Sequence, residues 1–94
     1  LIDLGVHVLD LALCALGYPT PDTVVGNTYD FIGKAGGKGL LGSWNPQTFE
    51  VDDAAMAYLS FPNKASIMLS ASFALNMEAE KDRNLEFFGT KGGV

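Results

Sequence analysis

Apolar positions in the first seventeen residues, LIDLGVHVLDLALCALG, recur all round a helical wheel and are interrupted only by Asp3, His7 and Asp10. At about 100° per residue, Asp3 and Asp10 fall within roughly 60° of His7, with Cys14 nearly in line. Val6, Val8, Leu9, Leu13 and Leu16 fill the rest of the circumference. The pattern predicts one helix, ended by Gly17 and by Pro19 and Pro21, that is buried on most sides and carries one narrow polar stripe.

Beyond the prolines the period changes from helical to alternating. Thr23 to Ile32, TVVGNTYDFI, is rich in β-branched and aromatic residues and predicts a first strand, with Val25, Tyr29 and Phe31 on one face and Val24, Thr28, Asp30 and Ile32 on the other. Gly33 to Glu50 holds glycines at 33, 36, 37, 39 and 42, followed by Ser43-Trp44-Asn45-Pro46, and predicts a long loop without regular elements. Asp53 to Phe61 and Ala65 to Ala74 predict a hairpin across Pro62-Asn63-Lys64, with Ile67, Leu69, Ala71 and Phe73 on an apolar face and Ser66, Ser70 and Ser72 on the other. Asn76 to Asn84 is polar, Leu85 to Phe88 predicts a short strand, and Gly89 to Gly93 predicts a turn into a further strand from Val94. One helix and four strands, three of them nearly consecutive, predict an α+β fold: an open, mainly antiparallel sheet with the helix packed on one face.

Composition narrows the classes of function. Six Lys and Arg against eleven Asp and Glu give a net charge of −5, with no basic cluster, so nucleic acid is not the expected partner. The longest apolar run, Val6 to Leu16, is broken by His7 and Asp10 and is shorter than the ~20 residues of a membrane span; neither a membrane association nor a signal peptide is expected. A single cysteine, Cys14, excludes an internal disulfide and fits a reducing, cytoplasmic setting. Hydrophobic residues at 48% and a mean hydropathy of +0.19 imply that some apolar surface is covered by further chain or by a partner subunit. The chain opens inside a helical pattern and stops just after a turn, and it reads as a segment of something longer.

The candidate chemistry lies on the helix. An acid and an imidazole at i and i+4 on an apolar helix need a partner, water or a substrate. Asp3 reads either as a helix N-cap or as the partner of His7, and His7 either as a satisfied core histidine or as a proton-transfer group. Asp10, one turn on, supports His7 in the second reading. A metal site on Asp3, His7 and Asp10 has no fourth ligand nearby, and no metal is expected. Trp44 reads as a ring that stacks on a sugar or plugs an interface, or as a pin that fastens its own loop. There is no GxGxxG fingerprint and no P-loop, and Gly89 to Gly93, with Lys91 inside it, precedes a strand rather than a helix and is a hairpin turn rather than a phosphate cradle.

The opening helix resembles the D-x-G-x-H-x-x-D helix that begins the second domain of the glucose-fructose oxidoreductase and inositol dehydrogenase (Gfo/Idh/MocA) family. Further similarities follow in order: Val51-Asp52-Asp53-Ala54-Ala55 resembles the acidic lead-in to a central strand; Phe61-Pro62-Asn63-Lys64-Ala65 resembles an F-x-N-G-A hairpin, with Lys64 for the usual glycine; Ser70 to Asn76 resembles E-x-S-W-A-x-N, with Ser70 and Phe73 for Glu and Trp; and Phe88 to Gly93 resembles the G-T-x-G turn. The resemblance implies that residues 1–94 are part of the C-terminal substrate and oligomerisation domain of a two-domain Rossmann-type dehydrogenase. The N-terminal dinucleotide-binding domain, with the catalytic lysine, is absent from this sequence. It implies NAD or NADP as cofactor in the intact parent and a sugar, cyclitol or related polyol as substrate. His7 is then the general base and Asp3 the residue that orients substrate and histidine. Asn76 and Trp44 become substrate-binding candidates, and the open sheet a homo-oligomer contact. Gly5, between Asp3 and His7, marks a close approach of ligand or backbone. The chain alone is expected neither to bind the cofactor tightly nor to turn over substrate. The alternative is a non-catalytic ligand-binding or dimerisation domain of the same fold, and a hydrolysis or elimination that uses a bound nicotinamide is a third possibility.

Overall fold

The structure, a computed structural model, describes residues 2–39, 42–74 and 84–94. Helix α1 spans Ile2–Ala15 and ends in a Schellman turn. The Tyr18 N–H donates to the Leu13 carbonyl at 2.7 Å and the Gly17 N–H to that of Cys14 at 3.0 Å, with Gly17 at φ 79°. The left-handed residue expected from the sequence is thus in place, two residues beyond the last helical one.

Strands β1 (Thr23–Tyr29), β4 (Ala54–Ser60) and β5 (Ser66–Ser72) form the three-stranded sheet, antiparallel throughout, in the order β1-β4-β5. The register joins Thr23 to Ser60 and Ser60 to Ser66 at one end, and Tyr29 to Ala54 and Ala54 to Ser72 at the other. At the hairpin between β4 and β5, the Asn63 side-chain oxygen accepts the Ala65 N–H at 3.0 Å, and Lys64, standing where the family pattern has glycine, takes φ 67°.

Ala55, Ala57, Leu59, Ile67, Leu69 and Ala71 share one face of the sheet. Helix α1 packs against β5 there, and a Cβ built on Gly5 would lie 3.2 Å from that of Ala71. The α+β fold with a mainly antiparallel sheet and a helix on one face is therefore the observed architecture. The close approach that Gly5 permits is between helix and sheet, not between helix and ligand.

The packing is thinner than the periodicity predicts. Among the described residues the buried apolar side chains are Ala12, Ala54, Leu59 and Phe61, while Val6 and Leu11 on α1 are 45% and 57% exposed. A three-stranded sheet is too narrow to cover more than one stripe of a helix, so α1 is apolar on flanks that face outward. The opposite sheet face leaves Val25, Met56, Tyr58 and Met68 exposed, Met68 by 88%.

Three predicted segments are corrected. The first strand stops at Tyr29 instead of Ile32, because Phe31–Ala35 turns into a short helix, α2. The stretch Gly33 to Glu50 is not structureless: β2 (Gly37–Gly39) and β3 (Gly42–Trp44) form a small ribbon, and Pro46–Thr48 is a 3₁₀ turn whose Asn45 side chain accepts the Gln47 N–H at 2.9 Å. Glycines at three of the six ribbon positions erase the hydrophobic period while leaving backbone pairing possible, so the pattern carried no sign of the ribbon. Near the C-terminus, β6 (Phe88–Gly89) pairs with β7 (Gly92–Gly93), so pairing starts later than Leu85 and its second strand begins before Val94. Phe73, predicted on the helix face of β5, lies just past the strand's end, where the Ser72 hydroxyl accepts the Ala74 N–H at 3.0 Å and turns the chain away.

Two glycines separate conformational from steric demand. Gly33→Ala would drive a Cβ to 1.9 Å from the Phe49 ring, whereas Gly17→Ala meets no atom within 4 Å and costs only the left-handed backbone. The expected losses of unfolding free energy, measured by chemical denaturation, are about 1 kcal/mol for Gly17→Ala and about 2 to 3 kcal/mol for Gly33→Ala.

Candidate functional site

Asp3 lies inside the first turn of α1, where a carboxylate suits the positive end of the helix dipole, rather than at a capping position. His7 follows one turn later, and both side chains are exposed. Among the described residues neither makes a side-chain hydrogen bond or ion pair, with the other or with anything else. Their exposure has a geometric cause. Gly5 faces β5, and each of the two is two residues from it, so each points about 200° round the helix, away from the sheet. The polar stripe is therefore the outward face of α1, and a satisfied core histidine is not what His7 is.

Gly5 also fixes where along the sheet this stripe lies. Ala71 pairs with Ala55, one residue from the row Tyr29–Ala54–Ser72, so the first turns of α1 stand over the end of the sheet where β1 ends and β4 begins. The Trp44 loop is fastened to that same end. The Trp44 indole N–H donates to the Gly33 carbonyl at 2.8 Å, and its ring packs over Gly37 and 6.4 Å from the Phe49 ring, which is 6.0 Å from that of Phe73. Trp44 is half-buried, so the ring that pins its loop keeps a part open. No hydrogen bond links it to Asp3 or His7 among the described residues. Asn76 lies outside the described residues.

The group that fastens this loop is Asp53, which sequence reasoning did not single out as an anchor. Asp53 is 2% exposed, and its carboxylate accepts the Gly33 N–H at 2.7 Å. Its backbone is bonded too: the N–H donates to the Tyr29 carbonyl at 2.7 Å, and the carbonyl accepts the Phe73 N–H at 3.2 Å and lies 2.9 Å from the Ser72 hydroxyl. A second acid before an apolar strand was the sole available signal, and it does not distinguish a buried anchor from a solvated side chain.

A further residue of the stripe takes a different part from the one expected. Asp10 accepts the Tyr18 hydroxyl at 3.2 Å, tying the Schellman turn back to the helix instead of supporting His7. Cys14 is exposed, as its place in line with the polar stripe requires. The Cys14 thiol and the Asp10 carboxylate facing the Tyr18 hydroxyl push its ionisation up to about 12. Among the described residues no group of His, Cys, Asp and Glu is arranged to hold a metal ion, and no helix is long and apolar enough to cross a membrane.

The model of the GFO/IDH/MocA C-terminal domain matches residues 1–94, and the chain belongs to that family. It is similar to a D-glucoside 3-dehydrogenase of Escherichia coli (strain K12), 37% identical over 94 residues that make up all of this chain and 27% of that protein. The chain thus spans about a quarter of the length of that relative.

The Tyr18 contact sets a pH dependence. A hydroxyl whose folded-state pKa lies above its unfolded value near 10 lends stability that is complete below pH 10 and is lost as pH rises toward about 12. In a spectrophotometric titration of the folded chain, Tyr18→Phe is expected to remove a phenolate transition centred at about pH 12.

Proposed function

We propose that this chain is the substrate-facing part of an oxidoreductase that acts on a hydroxyl of a sugar, cyclitol or related polyol, with His7 as the proton acceptor and Asp3 as its orienting carboxylate. The observation that carries this reading is that both side chains stand free on the outward face of α1, one turn apart and uncommitted to any partner among the described residues. An imidazole in that position can take the hydroxyl proton of a substrate laid along the helix, and a carboxylate one turn earlier can accept a hydrogen bond from a second hydroxyl or from the ring N–H. The name of the E. coli relative makes a D-glucoside the first substrate to assay.

The reaction also needs a two-electron acceptor, which in this reading is NAD or NADP. The described residues do not fit that group: the glycine-rich stretches at 36–37 and 89–93 lie in or beside β-ribbons, and none joins a strand to a helix N-terminus. The dinucleotide is therefore assigned to chain outside these residues. The same reading makes the chain a cytoplasmic one, in keeping with its free Cys14.

In the enzyme that contains this chain, assayed with a D-glucoside and NAD or NADP, His7→Ala is expected to lower kcat by ~10²-fold or more with an unchanged thermal midpoint, and Asp3→Asn to lower it less. An unchanged rate in His7→Ala would favour the non-catalytic binding domain instead. Calorimetric titration of the 94-residue chain with either dinucleotide is expected to show no sub-micromolar binding.

We assign the exposed face of β1, β4 and β5 to contact between subunits. It is supported by the row Val25–Tyr58–Met68, a continuous apolar band across all three strands with Met56 beside it. Placing Lys at both Met56 and Met68 is expected to halve the mass measured by light scattering or reduce it further; an unchanged mass rejects the assignment.

A further inference from the structure

We propose that Asp53 is a positioning residue for substrate binding, acting through the backbone of Gly33 on the ring of Trp44. The inference rests on the reading of Trp44 as a ring that contacts substrate. The geometry is a pair of hydrogen bonds on one residue, made by the two peptide groups that flank the Gly33 Cα: the Asp53 carboxylate accepts the Gly33 N–H at 2.7 Å, and the Gly33 carbonyl accepts the Trp44 indole N–H at 2.8 Å. Two features make this linkage stiff. Asp53 is buried at the first turn into β4 and held by its own N–H and carbonyl, so its carboxylate has a fixed position relative to the sheet. Gly33 is pressed against the Phe49 ring, with no room for a side chain, and Phe49 is in turn in contact with Trp44.

The loop that bears Trp44 is otherwise glycine-rich, and a ribbon of such composition has little of its own to hold one pose. A bond to a carboxylate is stronger and more directional than one between neutral groups, and a ring that stacks on a ligand gains affinity when its pose is set in advance. Asp53 thus touches neither substrate nor reacting atoms, yet it fixes the ring that would.

The test is a kinetic cycle in the enzyme that contains this chain, with a D-glucoside as varied substrate. Trp44→Ala is expected to raise KM by about five- to tenfold. Asp53→Asn, which keeps the shape and removes the charge, is expected to raise KM by about three- to tenfold with kcat within twofold. In the double variant KM is expected to match that of Trp44→Ala alone, because the effect of Asp53 runs through the ring. If Trp44→Ala raises KM but Asp53→Asn leaves it unchanged, or the two effects multiply, Asp53 is no more than structural and the proposal fails while the role of Trp44 stands. If Trp44→Ala leaves KM unchanged, both fall. Should Asp53→Asn not fold, Asp53→Glu keeps the carboxylate and displaces it by one methylene; a KM above wild type with kcat within twofold then supports the positioning role, and a wild-type KM overturns it.

Discussion

Asp53 is where separate parts of the chain are joined. Its N–H holds the end of β1 through the Tyr29 carbonyl, its carbonyl holds the end of β5 through the Phe73 N–H, and its carboxylate holds the first turn after β1 through the Gly33 N–H. A buried carboxylate without hydrogen bonds would be strongly unfavourable, and a buried N–H left unpaired costs about 1 to 3 kcal/mol, so each group needs the others in place. The result is a sheet end at which three strand termini and one loop share a single fixed point. With so few buried apolar side chains among the described residues, such a polar anchor carries a larger share of the specificity of the fold than it would in a thicker domain.

How far this was legible depends on the range of the interactions. Helix α1 and the β4–β5 hairpin could be read because their signals are local and repeated: a helical period ended by Gly17 at φ 79°, and two alternating runs joined by a turn whose Asn63 caps the Ala65 N–H. The ribbon of β2 and β3 and the helix α2 could not, because what orders them is one carboxylate twenty positions away and a pair of aromatic rings. Propensity alone favours continuing β1 through Phe31 and Ile32, and the pull of Asp53 on Gly33 overrides it.

The candidate site divides in the same way. Helical spacing sufficed to put Asp3 and His7 on one stripe, but not to say which way the stripe faces, since an apolar helix offers several stripes to a sheet. That choice is made at Gly5, the position where α1 comes within reach of Ala71. A larger residue there would lift or rotate the helix, and the stripe would turn with it. The same glycine that marked a close approach of ligand or backbone is thus what aims both candidate groups away from the sheet.

The outward aim has a chemical consequence. An imidazole and a carboxylate in open water exchange protons with solvent and gain little from each other, because bulk dielectric screens their attraction to about 1 kcal/mol at 4 Å. Closing the face with a second wall would exclude that water, strengthen the contact of each group with a bound hydroxyl, and leave the imidazole one proton acceptor within reach of the reacting centre. In the proposed reading the free state of Asp3 and His7 is that of a half-site: two groups held in register by one helical turn, with their partners supplied when the face is covered. A structural ion pair would have spent both groups on each other; no such pair forms among the described residues, which leaves both groups free to take the roles proposed for them.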